Sequence, residues 1–300
     1  MTAPILLTGA TGQVGRALQP KLREFGEIVA PTRAELDLAD PEAIRRVLRD
    51  VRPGLIVNPG AYTAVDRAED EPDRAAAVNA RAPEILAAEA ARLGAALVHY
   101  STDYVYDGAK ASPYVETDAT APLGVYGATK LAGEAAIRAS GVPHLILRTS
   151  WVYDAEGANF LNTMLRLGAE RRELAVVNDQ FGAPTGAGAI AAATAAILGR
   201  AKGAWFDHFR REGGVVHMTC AGTTTWHGFA EAIFAGARRR GAQLAVETVR
   251  PIATADYKTK ARRPANSRLD LGLLQRRFGV VMPDWGATLE AVLDRRFGPA

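Results

Sequence analysis

Ile5-Leu6-Leu7-Thr8-Gly9-Ala10-Thr11-Gly12-Gln13-Val14-Gly15 passes from three apolar residues straight into glycines spaced three apart. The apolar triplet is of the kind found in a buried parallel strand, and the glycines after it predict a tight turn and a helix opening near Gly12. The GxxGxxG spacing departs from the better-known GxGxxG of dinucleotide-binding turns but serves the same physics. Without Cβ atoms the backbone can approach a pyrophosphate, and the helix N-terminus presents unpaired amides and its dipole. A glycine-rich turn can also be no more than a tight connection. The dinucleotide reading is favoured by the strand-helix alternation downstream of the turn.

Glu27-Ile28-Val29-Ala30 reads as a second strand running into Pro31-Thr32-Arg33, with Glu35 only afterwards. An acidic residue at the end of this strand suits the ribose hydroxyls of NAD, whereas a basic one suits the extra phosphate of NADP. Arg33 therefore tilts the expectation towards NADPH, with NADH as the alternative. Asp40-Pro41 has the form of an N-cap followed by proline at the first helical position, opening a helix to about Asp50. Leu55 to Asn58 reads as the third strand, Pro72 to Leu93 as largely helical with Asn79 in its middle, and Ala96 to Tyr100 as the fourth strand. A helix over Val125 to Ser140 and an apolar strand over His144 to Arg148 complete the alternation. This is the signature of an α/β, Rossmann-type, doubly wound parallel sheet over residues 1–150.

Beyond Ser150 the pattern loosens. Helices are expected at Asn159 to Gly168, Gly186 to Leu198, Thr225 to Arg240 and Asp284 to Arg296, with strands at Glu173 to Val177 and Val215 to Met218. No second nucleotide turn occurs. Residues 151–300 are expected to form a smaller C-terminal α/β substrate-binding domain, some of whose elements pack back on the first sheet.

Composition narrows the class. The 300 residues are 48% hydrophobic and 23% charged, as in a soluble globular protein, and 36 basic against 33 acidic residues leave a net charge of only +3. No nucleic-acid partner is implied. No apolar run approaches the length of a membrane span, and the N-terminus lacks the pattern of a signal peptide, so a cytoplasmic location is expected. Cys220 is the single cysteine, which excludes an intrachain disulfide and a cysteine-based metal cluster.

The chemistry is expected at Tyr126-Gly127-Ala128-Thr129-Lys130, taken with Tyr100-Ser101-Thr102-Asp103 upstream. On a helix Tyr126 and Lys130 are i and i+4 and project from one face. A lysine charge at about 5 Å in an effective dielectric of about 20 would favour the phenolate by about 3 kcal/mol, or roughly two pKa units. That would make a sluggish phenol a usable acid or base. A bare YxxxK is common and is also met on solvated helix faces. Its position after a glycine turn and a strand ending in Ser-Thr-Asp gives it weight. Asn79 is expected at the surface or bonded to a neighbouring backbone, and His99 packed inside its strand.

With these segments placed, the chain resembles the sugar-nucleotide reductases of the extended short-chain dehydrogenase/reductase superfamily. The resemblance spans nearly the whole length. It rests on the Thr8 to Gly15 turn, Asn58 to Asp66, His99 to Gly108, Tyr126 to Glu134, Asp179-Gln180 with Pro184-Thr185, and Arg263 to Ser267. It implies a catalytic trio of Thr102, Tyr126 and Lys130. It implies cofactor contacts at Gly9, Gly12, Gln13 and Val14, at Asp37 and Leu38 near the adenine, at Ala61, Tyr62 and Thr63, and at Tyr100, with Tyr126 and Lys130 also facing the cofactor. Substrate contacts would be Thr102, Asp103, Trp151 and one basic residue of the 258–263 segment, Arg263, at the diphosphate. The implied reaction is NADPH-dependent reduction of the C4 ketone of dTDP-4-dehydro-L-rhamnose, a dTDP-sugar. Some members form homodimers through magnesium. The matching positions here include Ala17 and Gly188, which supply no carboxylates, so no metal is expected. Two alternatives stand beside this reading: another sugar-nucleotide reductase or epimerase, and a non-catalytic NADP-binding regulatory subunit.

Overall fold

The computed structural model describes residues 3–300. Its centre is a six-stranded, wholly parallel sheet of β1 (Ile5–Leu7), β2 (Ile28–Val29), β3 (Leu55–Asn58), β4 (Ala96–Thr102), β5 (His144–Thr149) and β6 (Gly214–His217). The spatial order is β6-β5-β4-β3-β1-β2. The chain winds outward from β1 to β2, then crosses back over β1 to β3. The order thus reverses between β1 and β3, and the carboxyl ends of these strands form the crevice where such sheets receive ligands.

Alternate side chains of each strand enter different layers, as a sheet covered on both faces requires. Ile5, Leu7, Leu55, Val57, Val98, Leu145 and Leu147 face one side, where they meet Leu18 and Leu22 of helix Gln13–Leu22 and Ile190 and Ile197 of helix Ala187–Arg200. Leu6, Ile56, Leu97 and Ile146 face the other, against Ile44 and Leu48 of helix Pro41–Val51, Leu86 of helix Ala82–Leu93 and Ile137 of helix Val125–Ala139. Each fully buried side chain of this kind contributes roughly 1.5–3 kcal/mol through removal from water. Asp40 caps its helix as expected, accepting from the amides of Glu42 and Ala43.

Several elements past residue 150 cover this first sheet: helix Ala187–Arg200, helix Trp205–Glu212 through Trp205 and Phe209, strand β6, and helix Gly272–Phe278 through Leu274 and Phe278. The remainder builds a separate core around Leu161, Leu165, Phe229, Ile233, Phe234 and Leu293, with Glu173–Val177 paired in parallel to Thr248–Ile252. The sequence pattern did not reveal helices Trp205–Glu212 and Gly272–Phe278 or strand Thr248–Ile252. The two helices are only eight and seven residues long and each buries two side chains. The strand is half exposed and carries no alternation strong enough to read. Among the described residues no helix is long and apolar enough to cross a membrane.

Candidate active site

A cleft of about 740 Å³ opens at the carboxyl ends of β1, β3, β4 and β5. The glycine turn forms its floor. Gly9 has φ +54°, and a Cβ there would lie 2.6 Å from the Gly60 Cα, so the turns after β1 and β3 touch through bare backbone. Gly12 is the extended N-cap of helix Gln13–Leu22, with no side chain bonded to its first amides. Val14, Asp37, Leu38, Ala61 and Thr63 line the same end of the cleft.

Arg33 stands exposed on its rim, while the Glu35 carboxylate is turned back onto Thr32, accepting from its amide at 2.7 Å and its hydroxyl at 2.9 Å. These bonds hold the carboxyl below its ordinary value. Glu35, the first acid past the second strand, is therefore occupied within its own turn, and the Arg33 guanidinium is left at the rim.

Tyr126 and Lys130 come from the first turns of helix Val125–Ala139, which presses on the turn after β4. A Cβ at Gly127 would lie 2.1 Å from the Tyr104 carbonyl oxygen, and the Tyr104 and Tyr126 rings meet edge to face at 5.4 Å. Thr102 and Asp103 leave the end of β4 beside them. Burial raises the Asp103 carboxyl to about 7, opposed by bonds to Ser267 and Thr102. Its Oδ2 has no protein partner. A carboxyl poised in this way can donate or accept near neutral pH.

One electrostatic expectation does not hold. Lys130 does not draw the Tyr126 phenol down. Burial raises the phenol above its ordinary value, with Thr102 lowering it in part and Asp103 opposing. The lysine Nζ is turned into the wall, where it donates to the Tyr100 carbonyl at 2.6 Å and meets His99 Nε2 at 3.1 Å. Burial brings Lys130 down to about 8, partly offset by Glu134.

Another wall of the cleft is formed by Trp151, which has φ +48° and stacks on Trp226 with ring centroids 3.7 Å apart. Trp226 is fixed in turn by its Nε1 donating to Gln180. Arg263 also reaches the cleft, but its guanidinium is held by Asp66 at 2.7 Å and by the Tyr104 hydroxyl at 3.2 Å.

Comparison with known proteins decides the family. The family described as RmlD substrate binding domain matches residues 2–297. The dTDP-4-dehydrorhamnose reductase of Burkholderia thailandensis is 50% identical over 288 residues, 94% of this chain and 95% of that protein. The protein of the same name from Escherichia coli strain K12 is 46% identical over 297 residues, 98% of each chain. Among solved structures, a dTDP-4-dehydrorhamnose reductase of Clostridium acetobutylicum superposes with a TM-score of 0.89 at 34% identity, covering 97% of this chain and 99% of that one. One from Bacillus anthracis, in complex with NADP, gives 0.87 at 34% identity, covering 98% and 100%. The chain belongs to the dTDP-4-dehydrorhamnose reductase family.

Every residue that the sequence nominated for this reductase site lies along the one cleft. Tyr100 does so through its backbone, because its hydroxyl is turned into the core to bond Thr194 at 2.7 Å. Trp226 was not nominated, and its signal was slight: one tryptophan directly after a Thr-Thr-Thr run that caps a helix. Asn79, expected at the surface or bonded to a neighbouring backbone, bonds the backbone of a loop of the cleft.

Asn79 is wholly buried in a wide π turn, Ala77–Arg81, between helices Pro72–Ala76 and Ala82–Leu93. Its side chain accepts from the Tyr62 amide at 2.8 Å and donates to the Tyr62 carbonyl at 3.0 Å and to Thr129 at 3.3 Å. One amide thus ties the loop after β3 to the helix that carries Tyr126. Asn79→Leu would leave both Tyr62 backbone groups unpaired, at a cost of about 1–3 kcal/mol. The expected outcome is weaker NADPH binding, with kcat less affected, in fluorescence titration and steady-state kinetics. Unchanged affinity in the folded variant would refute the clamp.

Proposed function

We propose that this protein reduces the C4 ketone of dTDP-4-dehydro-L-rhamnose to dTDP-L-rhamnose with NADPH. The observation that carries the reading is the meeting, in one cleft, of a bare glycine turn at a helix N-terminus with Thr102, Tyr126 and Lys130.

The residues present fit the cofactor. The Gly9 and Gly12 backbone leaves the room a pyrophosphate needs, the amides of Gln13 and Val14 open the helix, and Arg33 offers a cation at the rim where a 2′-phosphate would lie. Asp37 and Leu38 would border the adenine, and Ala61, Tyr62 and Thr63 the ribose and nicotinamide side. NADPH, when bound, supplies the hydride for the ketone carbon.

The chain's own residues then manage the oxygen. The Tyr126 hydroxyl, kept protonated by burial, delivers its proton to the oxygen as negative charge develops there, and the Thr102 hydroxyl bonds the same atom. A phenol raised by burial is a poor donor to a neutral ketone and a good one to an alkoxide. Asp103, which lines the cleft and whose buried Oδ2 has no protein partner, would serve the sugar hydroxyls, and the Trp151 ring would border the deoxysugar. Arg263 would meet the diphosphate by sharing its guanidinium with Asp66.

The test is NADPH oxidation with dTDP-4-dehydro-L-rhamnose generated in place, set against UDP- and GDP-linked 4-keto sugars. Rapid oxidation with the dTDP sugar and dTDP-L-rhamnose as product is expected. Preference for another keto sugar would move the substrate assignment and leave the reaction type standing.

A further inference from the structure

Lys130 ends in a closed chain of buried polar groups that hydride transfer and protonation of the oxygen do not use. Its Nζ meets His99 Nε2 at 3.1 Å, and His99 Nδ1 lies 2.9 Å from the side-chain amide of Asn58. The Asn58 nitrogen is the end that faces Nδ1, and its Oδ1 accepts from the Thr8 hydroxyl at the root of the glycine turn. Thr8, Asn58, His99 and Lys130 are each at most 2% exposed, so water replaces none of these bonds. The chain crosses β4, β3 and β1 and ends beneath the phosphate side of the cleft.

Donor counting constrains it. An ammonium has three donors and no acceptor, and a neutral imidazole has one of each. His99 is neutral, because burial and the nearby Lys130 charge hold it well below its ordinary value. If Lys130 is charged, His99 Nε2 must therefore accept and Nδ1 must carry the proton. The Nδ1 proton then needs the Asn58 oxygen, with the Asn58 nitrogen donating to Thr8. A side-chain amide reaches that arrangement by a half-turn that scarcely changes its shape. The amide as placed in the structure has the opposite orientation, with the Asn58 nitrogen facing Nδ1, which puts a proton on Nε2 and suits only an uncharged lysine. The charge of Lys130 and the direction of the whole chain are thus linked. With the Tyr100 carbonyl and His99 taking two lysine donors, one N–H remains for the cleft.

We propose that His99 is a positioning residue of this reductase: oriented by Asn58 and Thr8, it offers Nε2 to the Lys130 ammonium and so aims the third lysine N–H at the cofactor. The proposal rests on the reading of Lys130 as a cofactor-holding residue. Around the lysine, Glu134 on the same helix is paired with Arg148 of β5, Asp103 lies at the end of β4, and Tyr126 is one turn back. No other described residue supplies a side-chain acceptor to Nζ.

The test has two arms. In the first, ¹⁵N-imidazole NMR of the wild-type protein reads the His99 tautomer directly, without turnover or substitution. Nδ1–H with a bare Nε2 is expected at pH 6.5, and a proton on Nε2 there would overturn the proposal even if the variants do not fold. In the second arm, NADPH affinity is followed from pH 6 to 10 for His99→Leu and His99→Gln. Removing the acceptor disfavours the charged lysine, so the alkaline fall in affinity should move to lower pH by about one unit in His99→Leu, with binding at pH 7.5 weakened about threefold. His99→Gln, whose amide oxygen can accept, should recover most of both. A wild-type pH profile in folded His99→Leu, or no recovery by His99→Gln, would contradict the proposal. Lys130→Met separates the underlying reading: wild-type NADPH binding by that variant would overturn the role of Lys130 and the proposal with it, whereas weakened binding there beside a wild-type profile in His99→Leu would overturn the role of His99 alone.

Discussion

Tyr126→Phe is expected to lower kcat by roughly 100- to 10,000-fold while leaving NADPH affinity nearly unchanged. The ring is fixed by contacts that phenylalanine keeps: the edge-to-face packing on Tyr104, and the close seat of Gly127 against the Tyr104 carbonyl. Only the proton is removed. Because burial holds the phenol above its ordinary value, no neighbouring group competes to deprotonate it near neutral pH, and the loss should persist across that range. Steady-state kinetics with a parallel cofactor titration would check this. Wild-type-like turnover by the variant would mean that the proton comes from elsewhere, and Asp103, raised to about 7 by burial, would be the next group to test.

Arg148→Met should lower the unfolding free energy by about 3–5 kcal/mol, the cost of leaving one member of a buried ion pair alone. Arg148 lies on β5 and grips Glu134 through two bonds, Nε to Oε1 at 2.9 Å and Nη2 to Oε2 at 2.6 Å, with the two side chains 3% and 1% exposed. Its third bond, to the Tyr106 hydroxyl at 2.6 Å, continues to His217 Nε2 at 2.9 Å on β6. Burial, with the Arg148 charge, brings His217 down to about 3, so it stays neutral there. The network ties β5 and β6 to the helix that carries Tyr126 and Lys130. The double variant Arg148→Met, Glu134→Leu should be less damaged than the single one, because no unpaired charge remains buried. Denaturant unfolding would decide. A loss below about 1 kcal/mol in the single variant would place the pair with exposed ones and remove this account of how the helix is held.

How much of this could be read from the chain differs by region. The sheet was legible because strands buried on both faces are short apolar runs, and Ile5-Leu6-Leu7, Leu55-Ile56-Val57 and His144 to Arg148 have few other interpretations. The Asp40 cap was legible for a local reason: a short polar side chain meets an amide two or three residues on. Tyr126 and Lys130 share a helix, so their spacing alone brought them to one cleft. What spacing could not supply was direction. The lysine Nζ turns to acceptors on β4, and the partners that turn it come from positions 31 and 30 residues away in sequence. The Asn79 clamp and the stacking of Trp151 on Trp226 have the same character, since each joins segments that only the fold brings together. Which later elements return to the first sheet was hidden, because an alanine-rich helix such as 187–200 or a seven-residue one such as 272–278 does not say which core it serves.

The central claim is net reduction by a cofactor that enters and leaves, and isotope transfer tests it most directly. NADPH deuterated at the nicotinamide C4, in each of its two diastereomeric forms, would be supplied with dTDP-4-dehydro-L-rhamnose. The account predicts dTDP-L-rhamnose bearing one deuterium at C4 from one diastereomer only, with one NADP⁺ released per sugar. An unlabelled product, formed by protein that retains its own cofactor and needs no added NADPH, would contradict it and identify an epimerase or dehydratase on the same frame.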